Sequence, residues 1–299
     1  MNELPYQEQV LPIPLDGGPL MGIVSTPPAG QTLQARGLVI VVGGPQYRVG
    51  SHRQFALLAR ALAATGHAVL RFDYRGMGDS PGELRDFNAA NADIGAAIDA
   101  LHRLHPQLQG VSLWGLCDGA SACLLYLHER PDPRVQGLCL LNPWVRSQAS
   151  QARTQIRHYY AARLRQPEFW KKLLSGKVAL KAVGEIAASL RAARGGPAAR
   201  RGAGSAAVDA RPFQQRMAAA WQAFPGRILL LLSEHDLVAR EFGEYTREDR
   251  AWRAALAHPR LRTEALQGAD HTCSSAAARA RVEALTLEWH GEHHHHAAS

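Results

Sequence analysis

Short continuous runs of aliphatic and β-branched residues alternate along most of the chain with longer segments whose apolar positions recur every three or four residues. The first kind suits a strand covered on both faces, the second an amphipathic helix. Tyr6–Leu15 and Pro19–Ser25, on either side of Asp16-Gly17-Gly18, predict an opening hairpin. Gly37–Val42 predicts the first buried strand. A helix follows over His52–Thr65, with Phe55, Leu58 and Leu62 on one face and Gly66 closing it. The alternation continues with a strand at His67–Asp73, a helix at Asn88–Leu104, a strand at Gly110–Trp114, a helix at Ala120–Glu129 and a strand at Val135–Leu141. Regular β/α alternation of this kind predicts an α/β fold with a mostly parallel, doubly wound sheet.

The pattern breaks between Trp144 and Phe224, where strand-like runs disappear. Helical spacing covers Gln148–Arg165, Glu168–Leu174, Val178–Ala193 and Pro212–Ala223, while Ala192–Ala210 is rich in Ala, Gly, Arg and Ser and reads as a loop. Alternation resumes with a strand at Arg227–Ser233, a helix around Arg247–Ala257, a strand at Leu261–Gln267 and a helix at Ser274–Trp289. The predicted organisation is a core of residues 1–143 and 225–299 interrupted by a helical insertion at 144–224, placed where it would form a lid.

Composition adds one feature to this picture. Apolar residues make up 46% of the 299, enough for a large single core. The net charge of +8 is concentrated: Arg146–Arg216 holds 15 Lys and Arg against three acids, whereas the remainder holds 19 basic and 23 acidic residues. The insertion therefore carries the basic character, either as a solvated Arg-rich surface or as a cover that attracts an anionic substrate or a membrane surface. No basic groove interleaved with aromatics is present, which argues against nucleic acid as a partner. The first twenty residues lack a signal-peptide pattern, and no apolar run approaches the roughly 18 residues of a membrane span. Four cysteines (Cys117, Cys123, Cys139, Cys273) show no metal-ligand spacing. A reduced, cytoplasmic protein without stable membrane insertion, metal or cofactor is expected. His293–His296 could be a natural tail or an added one, and metal affinity there would be incidental.

The chemistry centres on Gly115-Leu116-Cys117-Asp118-Gly119. A strand turning into a helix through Gly-x-Cys-x-Gly has the form of a nucleophile elbow, with cysteine where serine is usual. A cysteine nucleophile needs a base, and the base needs a partner that fixes its tautomer. Asp236 and His271 follow the Arg227–Ser233 and Leu261–Gln267 strands, giving nucleophile, acid and histidine in chain order, each just past a strand. Glu234 is a rival acid, His235 a rival base, and Cys273 a candidate redox partner of Cys117. The oxyanion hole is expected from the N–H of Asp118 and a second donor after the first core strand. Pro45 has no N–H, so Gln46 or Gly44 must supply it, and Gln46 is favoured for its side-chain amide. Gly44, Tyr47 and Arg48 would line the mouth, Arg48 as a partner for a substrate anion. In the insertion, Ile156, Tyr159, Tyr160, Phe169 and Trp170 would contact an acyl group.

Asp73-Tyr74-Arg75-Gly76-Met77-Gly78-Asp79-Ser80 is similar to the Asp-x-Arg-Gly-x-Gly-x-Ser loop of α/β hydrolases. More narrowly, Val42–Arg53 and Gly115–Ala120 resemble the exosortase A system-associated hydrolases of type 1, found beside bacterial exosortase and exopolysaccharide genes. Dienelactone hydrolase also uses a cysteine elbow, although nothing else here is nearer to it. The resemblance implies an α/β-hydrolase fold and an ester or thioester hydrolase acting on a small-molecule or carrier-linked acyl substrate. An acyltransferase onto a polysaccharide or carrier-linked acceptor is the first alternative, and a non-catalytic binding protein on the same fold the second. The chain departs from the commonest family pattern in lacking His-Gly before the first helix.

Overall fold

The computed structural model describes residues 5–44, 46–146 and 209–291. The expected helices at 148–165, 168–174 and 178–193, nearly all of the 192–210 loop, the five apolar residues named above between Ile156 and Trp170, and His293–His296 lie outside the described residues. The chain divides into two compact units, Met1–Val145 with Ala210–Ser299, and Arg146–Asp209.

The first unit is built on one eight-stranded sheet. Its strands are β1 (Gln7–Ile13), β2 (Leu20–Thr26), β3 (Arg36–Val41), β4 (Val69–Phe72), β5 (Gly110–Leu116), β6 (Val135–Leu141), β7 (Arg227–Ser233) and β8 (Leu261–Leu266), in the order β1-β2-β4-β3-β5-β6-β7-β8. β1 runs antiparallel to β2 and β2 to β4; every other pair is parallel. This is the α/β-hydrolase fold that the alternation predicts. Every residue of β5 is buried, as its unbroken apolar character requires of a strand flanked by β3 and β6 and covered on both faces. On one face, Trp114 packs edge-on against Phe55 of α1 (Gln54–Ala64) at 5.7 Å and donates its indole N–H to Thr286 of the C-terminal helix Ala276–Gly291. Elsewhere α2 (Asn91–Leu104) and α3 (Asp118–Glu129) pack on each other.

Two elements depart from the periodic reading. A helix Phe213–Ala223 (α4), read from the sequence as the end of the insertion, lies in the first unit and packs on α3. Its Trp221 stacks edge-on with Trp252, which also meets Phe242 and donates its indole N–H to the Gln214 carbonyl. After β7, one helix was expected around Arg247–Ala257; the structure has two, α5 (Leu237–Glu248) and α6 (Arg250–Ala255). α5 buries Ala239, Phe242 and Thr246, which lie on one face at helical spacing. It starts where it does because Asp236 caps it, accepting the N–H groups of Val238 and Ala239. The last helix, Ala276–Gly291, is numbered α7.

Near the end of α7 a buried pair of imidazoles, His67 and His290, meets at 4.5 Å between ring centroids. Burial, and then the positive charges of His67 and Arg36, push His290 down to about 3. The folded protein thus declines a proton that the unfolded chain takes up near pH 6.5, so this group's contribution to stability is whole above that pH and is lost as pH falls towards 3. Between pH 6.5 and 5 the loss should be about 2 kcal/mol. Thermal unfolding of wild type should therefore fall more steeply over that interval than unfolding of His290→Leu, and parallel pH profiles would refute the assignment.

Candidate active site

The elbow is formed by the step from β5 into α3. Cys117 sits between them at φ 58° and ψ −124°, a left-handed conformation that a β-carbon tolerates poorly. Close approach on both sides explains its neighbours. A Cβ on Gly115 would lie 2.6 Å from the Ala120 amide nitrogen, and one on Gly119 would lie 2.5 Å from the Val41 carbonyl oxygen. The turn is anchored from below by the Cys117 N–H, which donates to the Leu141 carbonyl at 2.9 Å, and by the Cys117 carbonyl, which accepts from Ala120 and Trp144.

Asp236 and His271 come to this point from the ends of β7 and β8. Asp236 is 4% exposed, and its Oδ2 takes a 2.8 Å hydrogen bond from His271 Nδ1. His271 is half-buried; its hydrogen bond to Asp236, and then the neighbouring Cys117 sulfur, raise its pKa to about 10 against the opposing effect of burial. The helix cap and the histidine partner are thus one side chain: α5 fixes where Asp236 points, and Asp236 fixes the imidazole. The two loops are also tied together by their backbones, His235 N–H to the Ala269 carbonyl at 2.9 Å and Glu234 N–H to the Leu266 carbonyl at 3.1 Å. The rivals do other work. Glu234 is exposed and accepts the Gly268 N–H at 2.8 Å, while His235 is exposed and holds the loop through its backbone. Cys273 is a free, buried thiol set against the Asp270 carbonyl; burial raises it to about 11.

A residue that the sequence reading passes over completes the support. Asn142, at the end of β6, is fully buried in the left-handed region at φ 49°. Its Oδ1 accepts the Ser233 N–H at 2.8 Å, and its Nδ2 donates to Ser233 Oγ at 3.0 Å and reaches the His271 carbonyl at 3.5 Å. One amide therefore joins the ends of β6 and β7 to the histidine loop. The available signal was an Asn directly after an apolar strand, in Leu141-Asn142-Pro143, since Asn is among the few residues that enter this region readily.

On the other side of the elbow the loop after β3 comes close. Val41 pairs with Gly115, and a Cβ on Gly43 would press on Leu116 and Gly119 backbone atoms. The Gly44 N–H donates to Asp118 Oδ1, whereas the Gln46 side-chain carbonyl turns away to accept the Ser51 N–H at 3.2 Å. Of the two expected second donors, Gly44 is the one this structure brings against the elbow. Tyr47 is 48% exposed. Arg48 does not have the free charge expected of it: its guanidinium is bound by the fully buried Asp73 and, at 2.5 Å, by Asp79. The Asp73–Ser80 loop accounts for that engagement. Asp73 also accepts the N–H groups of Arg48 and Asp79, and Arg75 binds Asp93, so the loop's charged residues hold the turn after β4 together.

Residues 34–273 match the family described as serine aminopeptidase, S33. The chain belongs to that family. Relatives of the serine aminopeptidase family usually use serine; the elbow residue here is Cys117. No curated protein matches the chain in sequence. Among solved structures it is similar to an esterase of Pyrococcus furiosus (15% identity, 96% of this chain and 92% of that one, TM-score 0.59). A dienelactone hydrolase of Anabaena variabilis is similar too (16%, 95% and 97%, TM-score 0.58), as is an α/β serine hydrolase homologue of Coxiella burnetii (13%, 94% and 96%, TM-score 0.56). At these identities the likeness is one of fold. Among the described residues no helix is long and apolar enough to cross a membrane.

If Asn142 sets the histidine loop, Asn142→Ala should cost on the order of 2 kcal/mol of stability, since it orphans the buried Ser233 N–H and leaves alanine in a left-handed conformation. Denaturant unfolding of the variant checks this, and an unchanged midpoint would show that the amide is dispensable.

Proposed function

We propose that the protein is an ester or thioester hydrolase that works through a covalent acyl-cysteine, with Cys117 as nucleophile, His271 as acid and base, and Asp236 as the group that orients His271. The observation that carries this reading is that buried Asp236 holds His271 at 2.8 Å beside Cys117, where three strand ends meet. The esterase among the similar folds agrees with it.

The electrostatics give the proposed cycle an order. In the resting enzyme the imidazole keeps its proton to about pH 10, because the carboxylate on one side and the sulfur on the other both favour the cation. The sulfur is thereby presented as the electron-rich partner of an imidazolium, ready to attack a carbonyl carbon. As the C–S bond forms and the bond to the leaving group breaks, the imidazolium gives its proton to the leaving oxygen or sulfur. The acylated sulfur then carries no charge, so one of the two groups that raised the histidine is gone and its pKa falls. Neutral His271 can next take a proton from water, whose oxygen attacks the thioester and releases the acid. The backbone N–H groups of Asp118 and Gly44 are the donors proposed for the oxyanion in both halves. Losing one such donor typically costs about 100- to 1000-fold in rate.

The acyl group and its carrier are proposed from the resemblance to exosortase-associated hydrolases, which points to a small or carrier-linked acyl compound in an exopolysaccharide system. Four free cysteines, one of them proposed as nucleophile, suit a cytoplasmic location where thiols stay reduced. Arg48 is bound by two aspartates, so no role in holding a substrate anion is proposed for it.

Two measurements test the reading. Hydrolysis of an aryl ester or acyl-thioester panel should disappear in Cys117→Ala and drop at least 1000-fold in His271→Ala, with an acyl adduct on Cys117 visible by intact mass in the wild type; activity that survives Cys117→Ala would sink it. Alkylation of Cys117 by iodoacetamide at pH 7 should slow at least tenfold in His271→Ala, because the imidazolium that favours the thiolate is lost, and equal rates would remove the ion pair from the mechanism. Adding alcohols or sugars to the same assay separates transfer from hydrolysis by the product formed.

A further inference from the structure

The oxyanion donors proposed above are not idle. β3 and β5 run parallel with Val41 opposite Gly115, so the chain two or three residues further on brings Gly43 and Gly44 alongside Cys117 and Asp118. There the side chain of Asp118 folds back over its own helix terminus. Its Oδ1 accepts the Gly44 N–H; burial pushes the carboxyl's pKa up, and the surrounding backbone N–H groups, Gly44 first, oppose that shift. A Cβ on Gly43 would lie 2.6 Å from that same Oδ1, which shows how closely the β3 loop is moulded to it. A tetrahedral oxyanion would need the N–H groups of Gly44 and Asp118, and a carboxyl oxygen already occupies the first of them.

We infer that the Asp118 carboxylate is a built-in occupant of the oxyanion hole, one that an incoming acyl carbonyl must displace before Cys117 can be acylated. The inference rests on the proposed function, because only if Cys117 attacks a carbonyl do these donors have an oxyanion to hold. Displacement needs no backbone movement: rotation about the Cα–Cβ bond of Asp118 swings the carboxylate off while the N–H of residue 118 stays in place. The carboxyl oxygen uses one of the same two donors, so it acts as an internal competitor of the transition state. A neutral side chain at this position would leave the donors open. An asparagine would keep the acceptor oxygen but hold the donors less tightly, since hydrogen bonds to an ionised acceptor are the stronger ones.

The test compares wild type, Asp118→Asn and Asp118→Ala by the burst of nitrophenolate released from p-nitrophenyl butyrate, each paired with its Cys117→Ala version. Iodoacetamide alkylation of Cys117 is measured beside it. Alkylation needs the thiolate but no oxyanion hole, so it reports any change in thiol reactivity from removing a nearby negative charge. The expected result is a Cys117-dependent burst at least tenfold faster in Asp118→Ala than in wild type, an intermediate gain in Asp118→Asn, and alkylation that rises far less. An acylation rate that is unchanged or lower in folded Asp118→Ala overturns the inference, as does a gain that alkylation matches. Should Asp118→Ala fail to fold, the isosteric Asp118→Asn carries the same comparison, and a rate at or below wild type overturns it. Absence of a Cys117-dependent burst in every form removes the proposed function and the inference together, whereas a burst that ignores Asp118 removes the inference alone.

Discussion

The parallel contact between β3 and β5 is the constraint on which the rest of the candidate site depends. It sets two loops, one after each strand, at backbone-to-backbone distance, and that distance leaves room for hydrogen only at Gly43, Gly115 and Gly119. The strained φ of Cys117 follows from the same closeness, because a strand that must turn at once into a helix has no relaxed conformation for the residue at the corner. Such strain persists only when the surroundings over-determine it. Here the anchoring comes from the Leu141 carbonyl beneath, from three donors onto the Cys117 carbonyl, and from the fully buried β5 behind.

The same economy recurs at Asp236. One buried carboxylate just past β7 starts α5 and orients His271, so the position of the histidine is tied to the start of that helix. Asn142 performs the corresponding task from β6, with three hydrogen bonds that meet at Ser233 and the histidine loop. The histidine is therefore located by polar contacts from two neighbouring strands, which suits the proton exchange proposed for this half-buried residue.

The strands were legible because a continuous apolar run between polar turns has few other uses in a chain of this length, and the elbow, Asp236 and His271 were legible because each lies one step past such a run. What escaped has a common cause. The partners of Arg48 lie 25 and 31 residues away, and the loop that unites them reads as a motif without saying what it binds. α5 begins at a cap, Asp236, whose hydrogen-bond partner His271 lies 35 residues away. The role of Asn142 depends on residues 91 and 129 positions further on. Choosing between Gly44 and Gln46 needed the direction of one N–H. In each case the deciding interaction is a hydrogen bond between segments far apart in sequence, about which periodicity is silent.

A cysteine at this corner makes the local charge balance sharper than a serine would. The start of α3 offers a fixed quantity of positive potential and a few N–H donors, and several anions compete for it: the Asp118 carboxylate, a Cys117 thiolate and the oxyanion of a tetrahedral intermediate. A serine hydroxyl would be neutral at rest and would not compete. In the proposed cycle the Cys117 sulfur instead faces the His271 cation, which is itself held by Asp236 on the opposite side. The proposed resting state then has the helix terminus facing Asp118 while the imidazolium faces the sulfur, two contacts that do not share a donor. In the proposed acylation step the carbonyl oxygen becomes negative as the C–S bond forms, and the helix terminus would change partners from Asp118 to that oxygen.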